Sequence, residues 1–298
     1  MQVLIVGCGY LGSVVARSLV SQGHTVFATT RSQEKARTLS QTLQVQTLVV
    51  DLLDPHSLED LPAVDAVVHC VAYDRRSGHS RQAVSVQGLR NLLKALPTSV
   101  RWVVSTSSTS VYGLANPQDV TEETPPDPAT EAGRVCLEAE SVITEQAHRF
   151  QACVILRLSG LYGPGRIIRR DSLLRGEPIA TNPDAWLNLV HIDDAAAAVV
   201  AALKSPNLTG LQLVNVTDDQ PGPRRRYYEL AAQLLDAPAP QFLPDSDPLE
   251  AGARRRISNA RLKSLFLPAL TYPTIEQGLP AALADERLAT DQGTQPVA

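Results

Sequence analysis

Paired cysteines are missing from this sequence: Cys8, Cys70, Cys136 and Cys153 stand far apart, and none belongs to a Cys-x-x-Cys motif. That removes the common redox and zinc-binding spacings. Three of the four lie in or beside apolar runs or a glycine turn, so reduced thiols are expected. The six histidines contain no His-x-x-x-His pair, and no metal site is expected. Long apolar runs are also missing. The longest, Ala195 to Leu203, is far shorter than the roughly 20 residues of a membrane helix. Met1-Gln2 leads straight into Val3-Leu4-Ile5-Val6 without a basic leader, so a secretory signal is not expected and a cytoplasmic location is. Nor is there an excess of positive charge: 27 Lys and Arg against 31 Asp and Glu give a net charge of -4. The chain therefore has no general electrostatic attraction for nucleic acid or an anionic membrane, which leaves a small molecule as the expected partner.

What is present is alternation. Short β-branched runs near 2–6, 24–29, 46–50, 65–71, 101–106 and 152–158 are separated by helical patterns near 10–22, 32–42, 78–96 and 130–147. This predicts an α/β fold, a Rossmann-type doubly wound parallel sheet with helices on both faces. In the first helix Leu11, Val15 and Leu19 share one face, and Gly23 is placed to end it in a left-handed cap. Beyond Gly160, Pro and Gly thicken and shorter helical patterns recur near 193–204, 223–236 and 259–266. The predicted organisation is a dinucleotide-binding domain over 1–164, completed by about 189–216. A smaller C-terminal substrate lobe follows over 165–188 and 217–288, and a polar tail over 289–298.

The first turn carries the chemistry. Gly7-Cys8-Gly9-Tyr10-Leu11-Gly12 follows a strand and opens a helix, the context in which Gly-x-Gly-x-x-Gly cradles a pyrophosphate. Gly7 permits the tight turn, Gly9 admits the phosphate to the backbone, and Gly12 lets helix pack on strand. Some 20 residues on, where an NAD enzyme presents Asp or Glu to the ribose 2′-hydroxyl, stands Thr30-Arg31-Ser32. A guanidinium there suits a 2′-phosphate, so NADP(H) is favoured over NAD(H); the competing reading is that Arg31 lies in solvent at the start of the next helix. Asp51, followed by Leu52, either accepts from the adenine amino group or is a simple turn residue. Asp193, ahead of the alanine-rich run, reads as a helix cap.

Taken with Asp51-Leu52, the segments Val68-His69-Cys70-Val71-Ala72, Ser107 to Gly113, Arg157 to Arg166 and Asn188 to Asp194 resemble the extended and atypical short-chain dehydrogenase/reductases, the NAD-dependent epimerase/dehydratase family. The resemblance covers nearly the whole chain. It implies that Val71 and Ala72 line the cofactor and that Ser108 holds the reacting oxygen of the substrate, beside Thr109, Tyr73, Tyr162, Arg166 and His191. Without the resemblance, Ser108 is equally a strand-end turn residue. It also implies a homodimer built on the helices at 78–96 and 130–147.

One departure stands out. The family's Tyr-x-x-x-Lys pair, which exchanges the proton accompanying hydride transfer, falls on Ala132 and Cys136, and Ser85 replaces a supporting Asn. Three substitutes are open: Arg134 as an electrophile, Cys136 if a cation lowers its pKa, or Tyr162 or Tyr73 reaching in from a loop; each taken alone reads more readily as structural. The runs Arg224-Arg225-Arg226 and Arg254-Arg255-Arg256 suit a phosphorylated or nucleotide-linked substrate, or solvated surface. The expected activity is NAD(P)-dependent hydride transfer, of oxidoreductase or epimerase type, on a hydroxyl or carbonyl. The alternative is a non-catalytic NAD(P) sensor or scaffold. A methyltransferase reading leaves the segments after Gly160 unexplained.

Overall fold

Five of the predicted runs form β1 (Gln2–Val6), β2 (Thr25–Thr30), β3 (Gln46–Val49), β4 (Ala66–His69) and β5 (Trp102–Ser108) in the computed structural model, which describes residues 1–113, 119–205, 207–244 and 255–291. With Ala152–Leu158 and Gly210–Val216 they make a seven-stranded sheet, ordered Gly210–Val216, Ala152–Leu158, β5, β4, β1, β2, β3. β1 is parallel to both neighbours, with Leu4 opposite Phe27 on one side and Val67 on the other. The β2–β3 and β4–β5 pairs are parallel too. The order of strands reverses between β1 and β4, which makes the carboxyl ends of these two strands the switch point at which such sheets bind ligands.

Val3 to Val6 are all buried, as a sheet covered on both faces requires. Leu4, Val6, Val67, Val103 and Ile155 pack with residues of α3 (Gly88–Ala95) and α4 (Glu131–Gln146) in one core. Ile5, pointing the other way by the two-residue period, meets α1 (Tyr10–Ser21). α1 stops as its sequence predicts, with Gly23 at φ +80. α2 (Gln33–Leu43) starts at Ser32, whose hydroxyl accepts from Lys35 N. The helix predicted over 78–96 begins later, after Ser80 accepts from Ala83 N, and Ala83–Gln87 is wound as a π turn before α3. The preceding residues are diverted into a 3-10 turn, Arg75–Ser77, capped by Asp74 and ended by Gly78 at φ +75. π turns accommodate one extra residue and recur at functional sites.

The chain divides into two units. The first holds Met1–Val111, Thr130–Arg157 and Ala196–Val214; the second holds Tyr112–Ala129, Leu158–Ala195 and the chain from Asn215. Residues 112–129, 158–164, 189–195 and 215–216, assigned from sequence to the nucleotide-binding domain, thus group with the second unit. There the helices Arg224–Leu234 and Ile275–Asp291 enclose a core of Tyr162, Ile167, Leu173, Ile179, Tyr227, Ala231 and Leu279. Helix Ile275–Asp291 contains Gly278 and Pro280, two residues that usually break a helix. Gly278 is required by space, because a Cβ there would drive into the Tyr162 hydroxyl. The polar tail predicted from 289 begins inside this helix, and 292–298 lie outside the described residues. Asp193 is not a cap: the helix already begins at Ile192, and the neighbouring Asp194 carboxylate accepts from Thr271 N at 2.7 Å and Tyr272 N at 2.9 Å. Among the described residues, no helix is long and apolar enough to cross a membrane.

Candidate functional site

The glycine turn at the end of β1 is built on close backbone approaches. Gly7, at φ +90, leaves no room for a Cβ, which would lie 2.8 Å from Val71 N and Cα. A Cβ on Gly12 would lie 2.5 Å from Gly7 O. Thr29 fixes the turn from β2, its Oγ1 accepting from Gly7 N and its carbonyl from Cys8 N, both at 3.3 Å. Gly9 differs from its two neighbours, because nothing lies within 4 Å of the position its Cβ would take. It is also the N-cap of α1, which has no side-chain cap and no acidic residue in its first turn. The starts of α2 and α4, by contrast, are capped by Ser32 and Thr130. An uncapped helix start opening on free space is a place for an anion, so the cradle fits a dinucleotide pyrophosphate.

The close approach to Gly7 brings Val71, and with it exposed Ala72, to this turn. Tyr10 is half-buried, while Leu11 is packed into the core. At the end of β2, Thr30 Oγ1 accepts from Ser32 N, and half-exposed Arg31 lies 3.9 Å from Asp74. Ser32, rather than Arg31, caps α2. Asp51 makes a turn, Oδ1 accepting from Leu53 N at 2.9 Å, and Leu52 is core, its carbonyl held by Asn91 Nδ2 at 2.8 Å.

Six consecutive hydroxyl residues, Ser105 to Ser110, run from the end of β5 into the following turn, and the last four have different duties. Ser107 donates to Glu140 Oε1 at 2.6 Å. Glu140, one turn beyond Cys136 on α4, is clamped by Arg157 through Nε at 2.9 Å and Nη2 at 2.6 Å, with both residues buried. Ser108 Oγ accepts from Ser110 N at 3.1 Å, which leaves the hydroxyl proton free to donate elsewhere. Thr109 is buried. The Ser110 hydroxyl pulls the Cys136 thiol pKa down. Beside these groups, after β4, the Arg81 guanidinium lies 4.4 Å over the ring of Tyr73, whose hydroxyl donates to His79 O.

A family model described as the NAD dependent epimerase/dehydratase family matches residues 3–216. The chain belongs to that family. It is 33% identical over 270 residues to Protein YeeZ of Escherichia coli K12, covering 88% of this chain and 92% of that one. It is 30% identical, over 82% of this chain and 84% of the relative, to the 3-diazoavenalumate denitrifying reductase of a Streptomyces species. A solved structure from Methylobacillus flagellatus, assigned to the NAD-dependent epimerase/dehydratases, superposes with a TM-score of 0.77 at 33% identity over 96% of this chain and 98% of that one.

In this epimerase/dehydratase chain the substitutes for the missing Tyr and Lys fare unequally. The Cys136 thiol is pushed up from its ordinary range by burial first and then by Glu140; Ser110 and Arg81 pull the other way and lose. It is therefore a poor acid/base at neutral pH, the reverse of what a lowered pKa would have given. Arg134 is exposed, two residues from Cys136 and so on another face of α4. Tyr162 and His191, expected at the substrate, are instead fully buried in the second unit, ring to ring at 5.3 Å. Burial raises the Tyr162 phenol far above its ordinary value and lowers the His191 imidazole to about 4. Both are held in their neutral forms near neutral pH. Arg166 is exposed on the tight turn closed by Gly163 and Arg166.

The described arginines of the two basic runs are largely spent on the second unit itself. Arg224 bonds Thr181, Arg225 lies 3.6 Å from Asp184, and Arg226 bonds Glu276 at 2.7 Å. Arg255 donates to the carbonyls of Tyr112 and Gly113, and Arg256 pairs with Asp119 at 2.7 Å. Arg254 lies outside the described residues. The Ser107–Glu140–Arg157 network and Arg81 carried no assigned role in the sequence reading. The first had a signal, since both charged residues fall on segments that match the family; Arg81 had only its place four residues before Ser85.

Proposed function

We propose that the chain is an NAD(P)-dependent oxidoreductase working in the reductive direction on a small molecule, with Ser108 orienting the acceptor. The observation that carries this reading is the uncapped start of α1 opening at Gly9, together with the unspent proton of Ser108 at the carboxyl end of β5. Gly7, Gly9 and Gly12 would hold the pyrophosphate, Val71 and Ala72 would flank the cofactor, and Arg31 would meet a 2′-phosphate, which favours NADP(H). When bound, the nicotinamide supplies the hydride. Ser108 donates a hydrogen bond to the acceptor atom as it gains negative charge, and solvent water supplies the proton that completes the reduction. Ser107 cannot do so, because its proton is already given to Glu140.

Loss of Tyr and Lys fits reduction better than epimerisation, which needs a proton removed and returned in each cycle. The Streptomyces relative, named as a reductase, agrees with that direction. The same loss favours a second reading, a nucleotide sensor that transfers no hydride.

The test is consumption of NADPH against a panel of aldehydes, ketones and keto sugars. Turnover that falls about 10²-fold in Ser108→Ala, with unchanged NADPH affinity, supports the assignment; turnover unchanged in that variant removes Ser108, and no transfer to any acceptor leaves the sensor. Arg31→Ala weakens NADPH binding about tenfold and leaves NADH binding unchanged, as read by calorimetric titration.

A further inference from the structure

We infer that Arg81, stacked on Tyr73, is the recognition point for a carboxylate on the substrate. This rests on the oxidoreductase reading above and specifies its acceptor as an organic acid. The guanidinium lies 4.4 Å over the Tyr73 ring. Stacking of this kind leaves the in-plane N–H groups of an arginine pointing outward, in the fork that matches a carboxylate. Among the described residues no carboxylate pairs with Arg81. Glu138, Glu140 and Asp74 are engaged elsewhere: Glu138 accepts from Gln82 Nε2 at 2.7 Å, Glu140 is held by Ser107 and Arg157, and Asp74 lies by Arg31 while its Oδ1 accepts from Arg76 N.

The position of Arg81 relates it to the reaction. Its charge is felt at the Cys136 thiol, as is the Ser110 hydroxyl, and the Ser110 backbone N–H anchors Ser108. Arg81 and Tyr73 are both partly exposed, so a ligand can reach them. Arg81 also sits two residues before the π turn Ala83–Gln87. A single planar fork suits a monoanionic carboxylate; a phosphate, with more charge and three oxygens, calls for further donors.

Binding is read by fluorine NMR line-broadening of three probes, 4-fluorobenzoate, 4-fluorobenzamide and 4-fluorophenyl phosphate, with wild type, Arg81→Gln and Arg81→Lys. NADPH affinity is measured on each protein alongside. The expected result is preferential broadening of the benzoate by wild type, lost at least tenfold in affinity in Arg81→Gln, partly restored in Arg81→Lys, and with NADPH affinity equal in all three. Equal response to benzoate and benzamide, no response to either, or a preference that survives Arg81→Gln overturns the carboxylate site. Preference for the phosphate overturns the choice of carboxylate. Loss of NADPH binding in wild type would instead overturn the oxidoreductase reading, independently of the probes.

Discussion

Beneath the sheet of the first unit, Glu140 and Arg157 are both nearly fully buried and meet through two short hydrogen bonds, with Ser107 completing the carboxylate. In the second unit Asp218, His191 and Tyr162 are just as buried, but burial holds each of them toward its neutral form. The first unit surrounds this ion pair with donors, whereas in the second these three groups are held uncharged, Tyr162 and His191 against aromatic rings. The ion pair stands directly under the hydroxyls of β5, where a rigid floor holds Ser107 and hence its neighbour Ser108. The neutral cluster supports packing of the second core around Gly278.

The largest break is expected at the ion pair. Removing one member of a buried pair strands the other and costs about 3–5 kcal/mol, so Glu140→Ala should lower the thermal midpoint sharply. Replacing both partners, Glu140→Leu with Arg157→Met, should cost less than either single change. If the double variant is instead as unstable as the sum of the singles, the pair is not the unit of stability.

A smaller effect sharpens the contrast in the second unit. Burial raises the Asp218 carboxyl from its ordinary value of 3.8 to about 7, with Asp219 and Glu276 adding repulsion and Gln220 N and Arg226 opposing it. A carboxyl raised in the folded state favours folding fully below pH 4, and that contribution is lost as pH rises through about 7. His191 has the opposite sense, losing its contribution as pH falls from 6.5 through about 4. Asp218→Asn keeps the acceptor for Gln220 N and abolishes the Asp218 slope. Its thermal midpoint should exceed that of wild type by about 5 °C at pH 8 and match it near pH 4. A difference independent of pH would mean that Asp218 does not titrate in this range.

Much of the first unit was legible because its signals are local. The 2-residue and 3.6-residue periods place the first six strands and their helices to within a few residues, and Gly7, Gly12 and Gly23 stand where only glycine fits or the backbone turns left-handed. The second unit was less legible because tertiary contacts decide it. Gly278 looks like a helix breaker until Tyr162 is seen to need the space. The arginine runs look like a phosphate site until Asp184, Glu276 and Asp119 are brought to them from distant parts of the sequence. Within the candidate site, Ser108 could be named from its segment, but what separates it from Ser107 is which way each proton points.

The most direct measurement is calorimetric titration of NADPH and NADH into wild type and Gly9→Val. Because nothing lies within 4 Å of a Cβ at Gly9, the variant should fold with an unchanged thermal midpoint while filling the opening at the start of α1. Binding to wild type that falls at least 100-fold in this variant is the predicted result. Binding that survives the valine, or is absent from wild type, would contradict a dinucleotide in that cradle.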